Sequence, residues 1–415
     1  MATIRPFRAY RPAPGLEDKI AALPYDVVNT EEAAAIAHAD PYTFLRVDRA
    51  EIDLAPGTDP HDELVYKKAK ENLDRMITEE QFIRDDKPCF YIYRLIRDGK
   101  AQTGLAATVS TQEYESGIIK KHELTRADKE RDRINHISAT GAHTGPIFIT
   151  YRRDESIESI INGIAENDPP IYDFTCEDGV THTMWKIDDG DTISLLTGAF
   201  GQIPNLYIAD GHHRNAAAAA IADQRKLENP AHTGSEGYNF YLAVLFPDDE
   251  LTVLDYNRVV KDLAGMSETE FLTEVKTQFE VENVTDMYDA KPKAPSRFGM
   301  YLSGRWYMLR PLEPLSDDPV KSLDVSVLQD RLLSPILKIG DPRTDARIDF
   351  IGGIRGLSEL EKRVDSGDAA VAFAMYPTSV SQLMNIADEN EIMPPKSTWF
   401  EPKLRSGLLI HMLDD

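Results

Sequence analysis

The residues with the clearest chemical potential lie in "LYIADGHHRNAAAAAIAD", Leu206–Asp223. An apolar run ends at Asp210 and Gly211, His212, His213 and Arg214 follow, and an alanine-rich helix-forming run starts near Asn215. A helix start presents backbone N–H groups without intrahelical partners and a partial positive charge, so Asp210–Asn215 suits an anion, phosphate above all. Gly211 allows a tight turn and close approach of the backbone to a ligand. Arg214 can fork onto phosphate oxygens and the histidines can donate further hydrogen bonds. The bland alternative is that Asp210 caps the helix and the histidines are solvated.

Four other stretches carry candidate chemistry. In "HELTRADKERDR", His122–Arg133, Thr125 and Asp128 have the spacing of a capping box, with His122 and Glu123 ahead of it. Asp132 and His136 share one face of the expected helix, and Lys129 and Arg133 the next stripe. A carboxylate and a cationic clamp facing a phosphorylated ligand would suit acid–base work and charge stabilisation. A salt-bridged surface helix explains the same charges. Asp132 and His136 suggest no third ligand for zinc. In "MPPKSTWFEPKLRSG", Met393–Gly407, Lys396, Ser397 and Lys403 either line a ligand loop or belong to a rigid turn that docks Trp399 and Phe400. It lacks the spacing of a Walker loop. Tyr25 and Asp26 in "LPYDVVN" line a site or form a plain turn, and His143 sits in the glycine loop "GAHTGPIF".

The elements that must position these residues alternate between strand and helix. Asn29 or Thr30 caps a short helix, preceded by a Pro-bounded strand and followed by a strand in "TFLRV". "HDELVYKKAKENLDRMITEEQF" is an amphipathic helix around Leu64, Ala69, Leu73 and Met76. Asp98-Gly99 marks a hairpin. "HTMWKIDDGDTISLL" reads as hairpin-like, and "YLAVLFPDDELTVLDYNRVV" as two strands joined by an acidic turn. The pattern then resets near Asp248. The expectation is an α+β fold with mixed sheets, divided into residues 1–248 and 249–415.

Composition bounds the function classes. The chain has 415 residues, enough for two or three domains, and 42% hydrophobic residues, enough for a packed core. Its 46 basic and 70 acidic side chains leave a net charge of −24, which works against nucleic acid binding. Cys89 and Cys176 suggest neither a disulfide framework nor a zinc site. The N-terminus lacks a signal-like apolar region and no run reaches membrane-spanning length. A soluble cytoplasmic protein of bacteria or archaea is expected, without membrane or nucleic acid partners; the oligomeric state is not legible.

Taken together, "LPYDVVN", "HELT" with "DR", "ADGHHR" and "MPPKSTWFEPKLRSGL" resemble the bacterial and archaeal family called domain of unknown function 1015, over essentially the whole chain. More distantly, "DGHHR" before a helix is similar to the phosphate-binding box of the ParB/sulfiredoxin superfamily. That superfamily holds nucleases, CTP-binding partition proteins, sulfiredoxins and free-serine kinases, which make O-phosphoserine from ADP or ATP. The resemblance implies a ParB/sulfiredoxin-like N-terminal part in which Gly211, His212, His213 and Arg214 hold nucleotide phosphates. It implies a small-molecule phosphotransferase with Mg2+ and ATP or ADP, and neither zinc nor haem. Glu123 would then be the base toward a hydroxyl such as that of L-serine, Asp210 or Asp132 would help hold magnesium, and Arg133 would neutralise the transferring group. The alternative is a non-catalytic nucleotide-binding regulator. The chain departs from a free-serine kinase in its length and its large C-terminal part. It has no cysteine in the turn, as a sulfiredoxin-like role would need.

Overall fold

The structure, a computed structural model, describes all 415 residues. It is a mixed α+β fold with several sheets. The chain forms two units, one of Met1–Lys121, Thr125–Leu251 and Pro402–Asp415, the other of His122–Leu124 and Thr252–Glu401.

The first unit is built on a nine-stranded sheet. Its strands run, in spatial order, Ile119–Lys120, Leu206–Asp210, Ile147–Tyr151, Phe240–Pro247, Lys100–Ser110, Phe90–Arg97, Thr181–Ile187 and Tyr172–Thr175, and Ile4–Arg5 also pairs with Lys100–Ser110. Leu206–Asp210 is parallel to Ile119–Lys120, and Phe240–Pro247 to Ile147–Tyr151; the other pairs are antiparallel. Every residue of "FYLAVLFP" is buried, as a central strand covered on both faces requires. The expected hairpin is present, and its turn residues Asp98 and Gly99 both take positive φ, at 50° and 75°, the signature of a type I′ turn.

Helices Glu155–Asn167 and Gly190–Phe200 close one face of the sheet with Ile157, Ile161, Leu196 and Phe200. The amphipathic helix Glu63–Thr78 lays Leu73 and Met76 on a second core with Ile20, Phe44, Val47 and Phe82. Leu64, expected on that face, is exposed. Helices Ala127–Thr140 and His212–Glu228 meet through Ile137, Ala217 and Ile221. Small alanines on the second helix keep that approach close.

The second unit has a six-stranded antiparallel sheet in the order Phe279–Val284, Arg305–Pro311, Phe298–Leu302, Val371–Ala374, Tyr256–Val260 and Ile348–Gly352. Helix Ser358–Asp365 packs Leu360 against Val259, Tyr301 and Trp306. A separate ribbon pairs Thr252–Leu254 with Trp399–Glu401. No helix in either unit is long and apolar enough to cross a membrane.

Three expectations are corrected. "TFLRV" is helical, at Leu45–Asp48 followed by a tight turn at Ala50–Asp53, because so short an apolar run fits either period. The acidic "DDGD" is a helix start: Asp189 accepts from the N–H groups of Asp191 and Thr192, so Thr181–Ile187 leads into a helix instead of a hairpin. The two strand runs expected around the acidic turn are present, Phe240–Pro247 before it and Thr252–Leu254 and Tyr256–Val260 after it. Arg126, not Thr125, stands at the start of helix Ala127–Thr140, and the Thr125 hydroxyl donates to Glu130 at 2.9 Å.

Candidate functional site: a strand–glycine–helix turn

Strand Leu206–Asp210 ends at Gly211, which takes a φ of 101°, and helix His212–Glu228 begins at once. That φ favours glycine. No side chain caps this helix start. A methyl group on Gly211 would lie 3.2 Å from Nε and Nη2 of Arg214, so the guanidinium is folded back over the turn. Its Nη1 donates to the Pro146 carbonyl at 2.6 Å. A methyl on the neighbouring Gly145 would lie 2.8 Å from the Ser406 hydroxyl and 3.5 Å from Arg214 Nη1. The loop Thr144–Pro146 is held on its other side by the Thr144 hydroxyl, which donates to Asp48 at 2.9 Å. Two glycines thus let two backbone segments close on one guanidinium.

Asp210 receives Lys403 Nζ at 2.9 Å. Burial pushes its pKa up, but Lys403, Arg214 and His212 outweigh that and hold the carboxyl well below its usual range. The strand end, the helix start and the returning segment after Pro402 are therefore tied by charge.

A second cation is buried in the same unit. Arg133 is 7% exposed, and its guanidinium stacks on the Tyr25 ring at 3.7 Å. Burial and the charge of Asp26 raise the Tyr25 phenol, while Arg133 and Arg214 both act to lower it. Arg133 Nε and Nη2 donate to Asp132 Oδ2 at 2.9 and 2.7 Å. The Tyr66 hydroxyl donates to Asp132 Oδ1 at 2.9 Å, and His61 Nδ1 lies 3.0 Å from the same atom. Burial alone would raise Asp132, but Arg133, Tyr66 and His61 hold it below the usual carboxylate range. His136, buried and beside Arg133, is pushed down and neutral, and its Nε2 lies 3.1 Å from the Val47 carbonyl. The "PYD", "DR", "HTGP", "DGHHR" and "KLRS" segments converge in one unit.

Several predicted residues have other tasks. His213, expected to donate to phosphate, instead accepts the Arg126 N–H on its Nε2 at 3.1 Å and ties down the start of the helix that carries Asp132 and Arg133. Asn215 is fully buried, with its amide beside the Tyr114 hydroxyl, because it lies on the helix face turned to the core. Asp132, expected on magnesium, has both carboxylate oxygens occupied by Arg133, Tyr66 and His61. Asp210 is occupied by Lys403. This donor set does not fit a magnesium site as it stands. His212 is buried directly after Gly211.

Glu123 belongs to the second unit, within His122–Leu124, where the His122 carbonyl accepts from Met393 N–H at 2.8 Å. Lys396 and Ser397 belong there too. Lys396 has a φ of 59°, its carbonyl accepts from Arg258 at 2.9 Å, and its ammonium lies 5.6 Å from the Tyr256 ring. The Ser397 hydroxyl donates to Pro394 O at 2.6 Å, closing the loop on itself. Gly145, Ser406, His61, Tyr66 and Asp48 are not among the residues singled out from the sequence; only the glycine loop and the serine next to "KLR" carry any signal there.

The fold and this turn define an α+β protein with a left-handed glycine and a folded-back guanidinium at a strand–helix junction. By sequence the chain belongs to the DUF1015 family, described as a protein of unknown function, whose model matches residues 4–326. No curated protein matches it. Among solved structures, a conserved hypothetical protein from Pyrococcus furiosus is 13% identical with a TM-score of 0.37, covering 74% of this chain and 95% of its own. A free serine kinase in complex with AMP gives 13% and 0.37, covering 73% and 92%. SbnI with a C-terminal truncation, from Staphylococcus aureus, gives 11% and 0.41, covering 74% and 87%.

Proposed function

We propose that the Gly211 turn binds the phosphates of ATP or ADP and that the protein is a small-molecule phosphotransferase, passing phosphate to a hydroxyl such as that of L-serine. The first unit is read as ParB/sulfiredoxin-like. One observation carries the proposal. An uncapped helix start follows a left-handed glycine, with the Arg214 guanidinium folded over it and Lys403 one carboxylate away. Backbone N–H groups, a helix dipole and two cations are the parts a phosphate needs. Phosphoryl transfer asks mainly for positioning and charge stabilisation.

In this reading the first-turn N–H groups and Arg214 take the phosphates. Arg133 adds positive charge, held in place by Asp132 and Tyr25. Glu123 accepts the hydroxyl proton. No step is routed through protein-bound magnesium. The full engagement of Asp132 by Arg133, Tyr66 and His61, and of Asp210 by Lys403, favours a second reading, a nucleotide-binding regulator without transfer, since it leaves neither carboxylate open to a magnesium ion.

Phosphorus NMR of the protein with magnesium, ATP or ADP, and L-serine among free amino acids separates them. A new phosphomonoester signal, lost in Glu123→Ala and Arg214→Ala, supports the kinase. Broadened nucleotide signals without product support the regulator. Unchanged spectra overturn both.

A further inference from the structure

We propose that the second unit carries an oxyanion site of its own at Arg258, beside the Lys396–Ser397 loop, for a small carboxylate- or phosphate-bearing metabolite. Arg258 lies on strand Tyr256–Val260, between Phe350 of one neighbouring strand and Phe373 of the other. Side chains alternate along a strand, so Val259 enters the core with Tyr301 and Leu360 while Tyr256 and Arg258 share the opposite face. An arginine in that position, 4% exposed, is costly unless a negative group compensates it.

The unit supplies no such group. Arg258 Nη1 donates to the Tyr256 carbonyl, and Nη2 donates to the Lys396 carbonyl at 2.9 Å. These bonds use two of the five N–H groups of a guanidinium. The Nε–H and one N–H on each terminal nitrogen keep no protein acceptor. Burial pulls the Arg258 pKa down to about 10, and only the Tyr256 phenol acts the other way; no carboxylate does. Arg310, Arg343, Arg347 and Arg363 of the same unit each meet a carboxylate, although all four are more exposed. Arg133, buried in the first unit, meets Asp132. Arg258 is buried without a counterion, and an oxyanion is the group its environment lacks.

The surroundings fix the guanidinium and add a second cation. Its carbon lies 5.4 Å from the centre of the Phe350 ring. The Ser397 hydroxyl closes the loop on Pro394, and the Thr378 hydroxyl ties it down by donating to the Ser397 carbonyl at 2.9 Å. Lys396 holds a left-handed φ of 59°, and its ammonium lies 5.6 Å from the Tyr256 ring. Both cations therefore border Tyr256, one at its carbonyl and one at its ring. Trp399 meets the same ring edge-on at 5.1 Å. A guanidinium edge offers parallel N–H bonds to a carboxylate or phosphate, and apolar rings around it strengthen them.

The test uses the full-length protein labelled with nitrogen-15 arginine. The Arg258 Nε–H signal is assigned by its loss in Arg258→Lys. Inorganic phosphate and acetate are titrated separately at constant ionic strength, with chloride as the control, so the two ligand chemistries are ranked. The Arg258 signal should shift saturably with at least one of them and not with chloride. Lys396→Met, a change at an exposed side chain, should leave the signal in place and weaken that binding several-fold by removing the second positive charge. Arg214→Ala should leave the Arg258 shifts intact, so this site and the Gly211 turn fail independently. A purely structural Arg258, tying the Lys396 loop to the sheet and nothing more, predicts a static Nε–H signal. A static signal across a millimolar titration of both anions overturns the proposal. So does an equal shift with chloride, or full affinity in Lys396→Met.

Discussion

Replacing Asp132 by asparagine isolates the charge that keeps Arg133 in place. The Asp132 and Arg133 side chains are 5% and 8% exposed, so neither is solvated by water in the folded state. The asparagine keeps the shape but removes the negative charge, and its NH2 would meet the Arg133 donors head on if its oxygen stayed with Tyr66 and His61. Breaking a buried ion pair from one side typically costs about 3–5 kcal/mol. Asp48 also acts on Arg133, so the low end, about 3 kcal/mol, is expected. The measurement is urea unfolding read by Trp185 alone, with Trp306 and Trp399 of the second unit replaced by Phe, so the first unit reports by itself. Asp132→Asn/Arg133→Met should recover at least about 1 kcal/mol relative to Asp132→Asn, because removing both charges of a buried pair is far cheaper than removing one. A single-variant cost below about 1 kcal/mol, or a double variant no better than the single, refutes the claim that Asp132 anchors a buried Arg133.

Gly211→Ala should destabilise the first unit by about 1–2 kcal/mol from its left-handed backbone alone and weaken nucleotide binding by displacing Arg214, as the same Trp185 unfolding assay and a binding titration would read. Lys403→Met should raise the Asp210 pKa, since burial is then less opposed, and weaken ADP binding about tenfold; carboxyl carbon NMR and calorimetry check the two parts. His143 and His182 are buried and pushed down to about 3 from 6.5, His143 by burial and His411, His182 by burial and Arg405. The unfolded chain therefore binds more protons between those values, so stability is full above pH 6.5 and falls as pH drops toward 3. At pH 5 the pair should have lost about 4 kcal/mol, and His182→Gln should flatten the decline in a pH series of urea midpoints. A His182→Gln variant with the wild-type pH dependence contradicts that cause.

Local chemistry is legible where a residue acts on its immediate neighbours. Asn29 does cap its helix, with Glu32 answering it in a capping box, and Asp98-Gly99 does turn a hairpin. The strand, the left-handed glycine and the alanine helix at Leu206–Glu228 are readable because each depends on a few adjacent residues. What stays hidden is tertiary. Asp132 reads as an acid–base or magnesium-holding carboxylate because its partners His61 and Tyr66 are 71 and 66 positions away in the chain. His213 reads as a ligand donor because nothing near it in sequence announces the Arg126 N–H. The return of Pro402–Asp415 to the first unit, which brings Lys403 to Asp210, has no local signal beyond a lysine in a stiff proline-bounded segment.

The central claim is that the Gly211 turn holds nucleotide phosphates through Arg214. The most direct measurement is calorimetric titration of ADP into the wild-type protein and into Arg214→Ala, with circular dichroism to confirm that both are folded. The account predicts saturable binding to the wild type and a loss of about a hundredfold or more in the variant, the scale of a charged bidentate contact. Undiminished affinity in a folded Arg214→Ala variant, or no binding to the wild type, contradicts it.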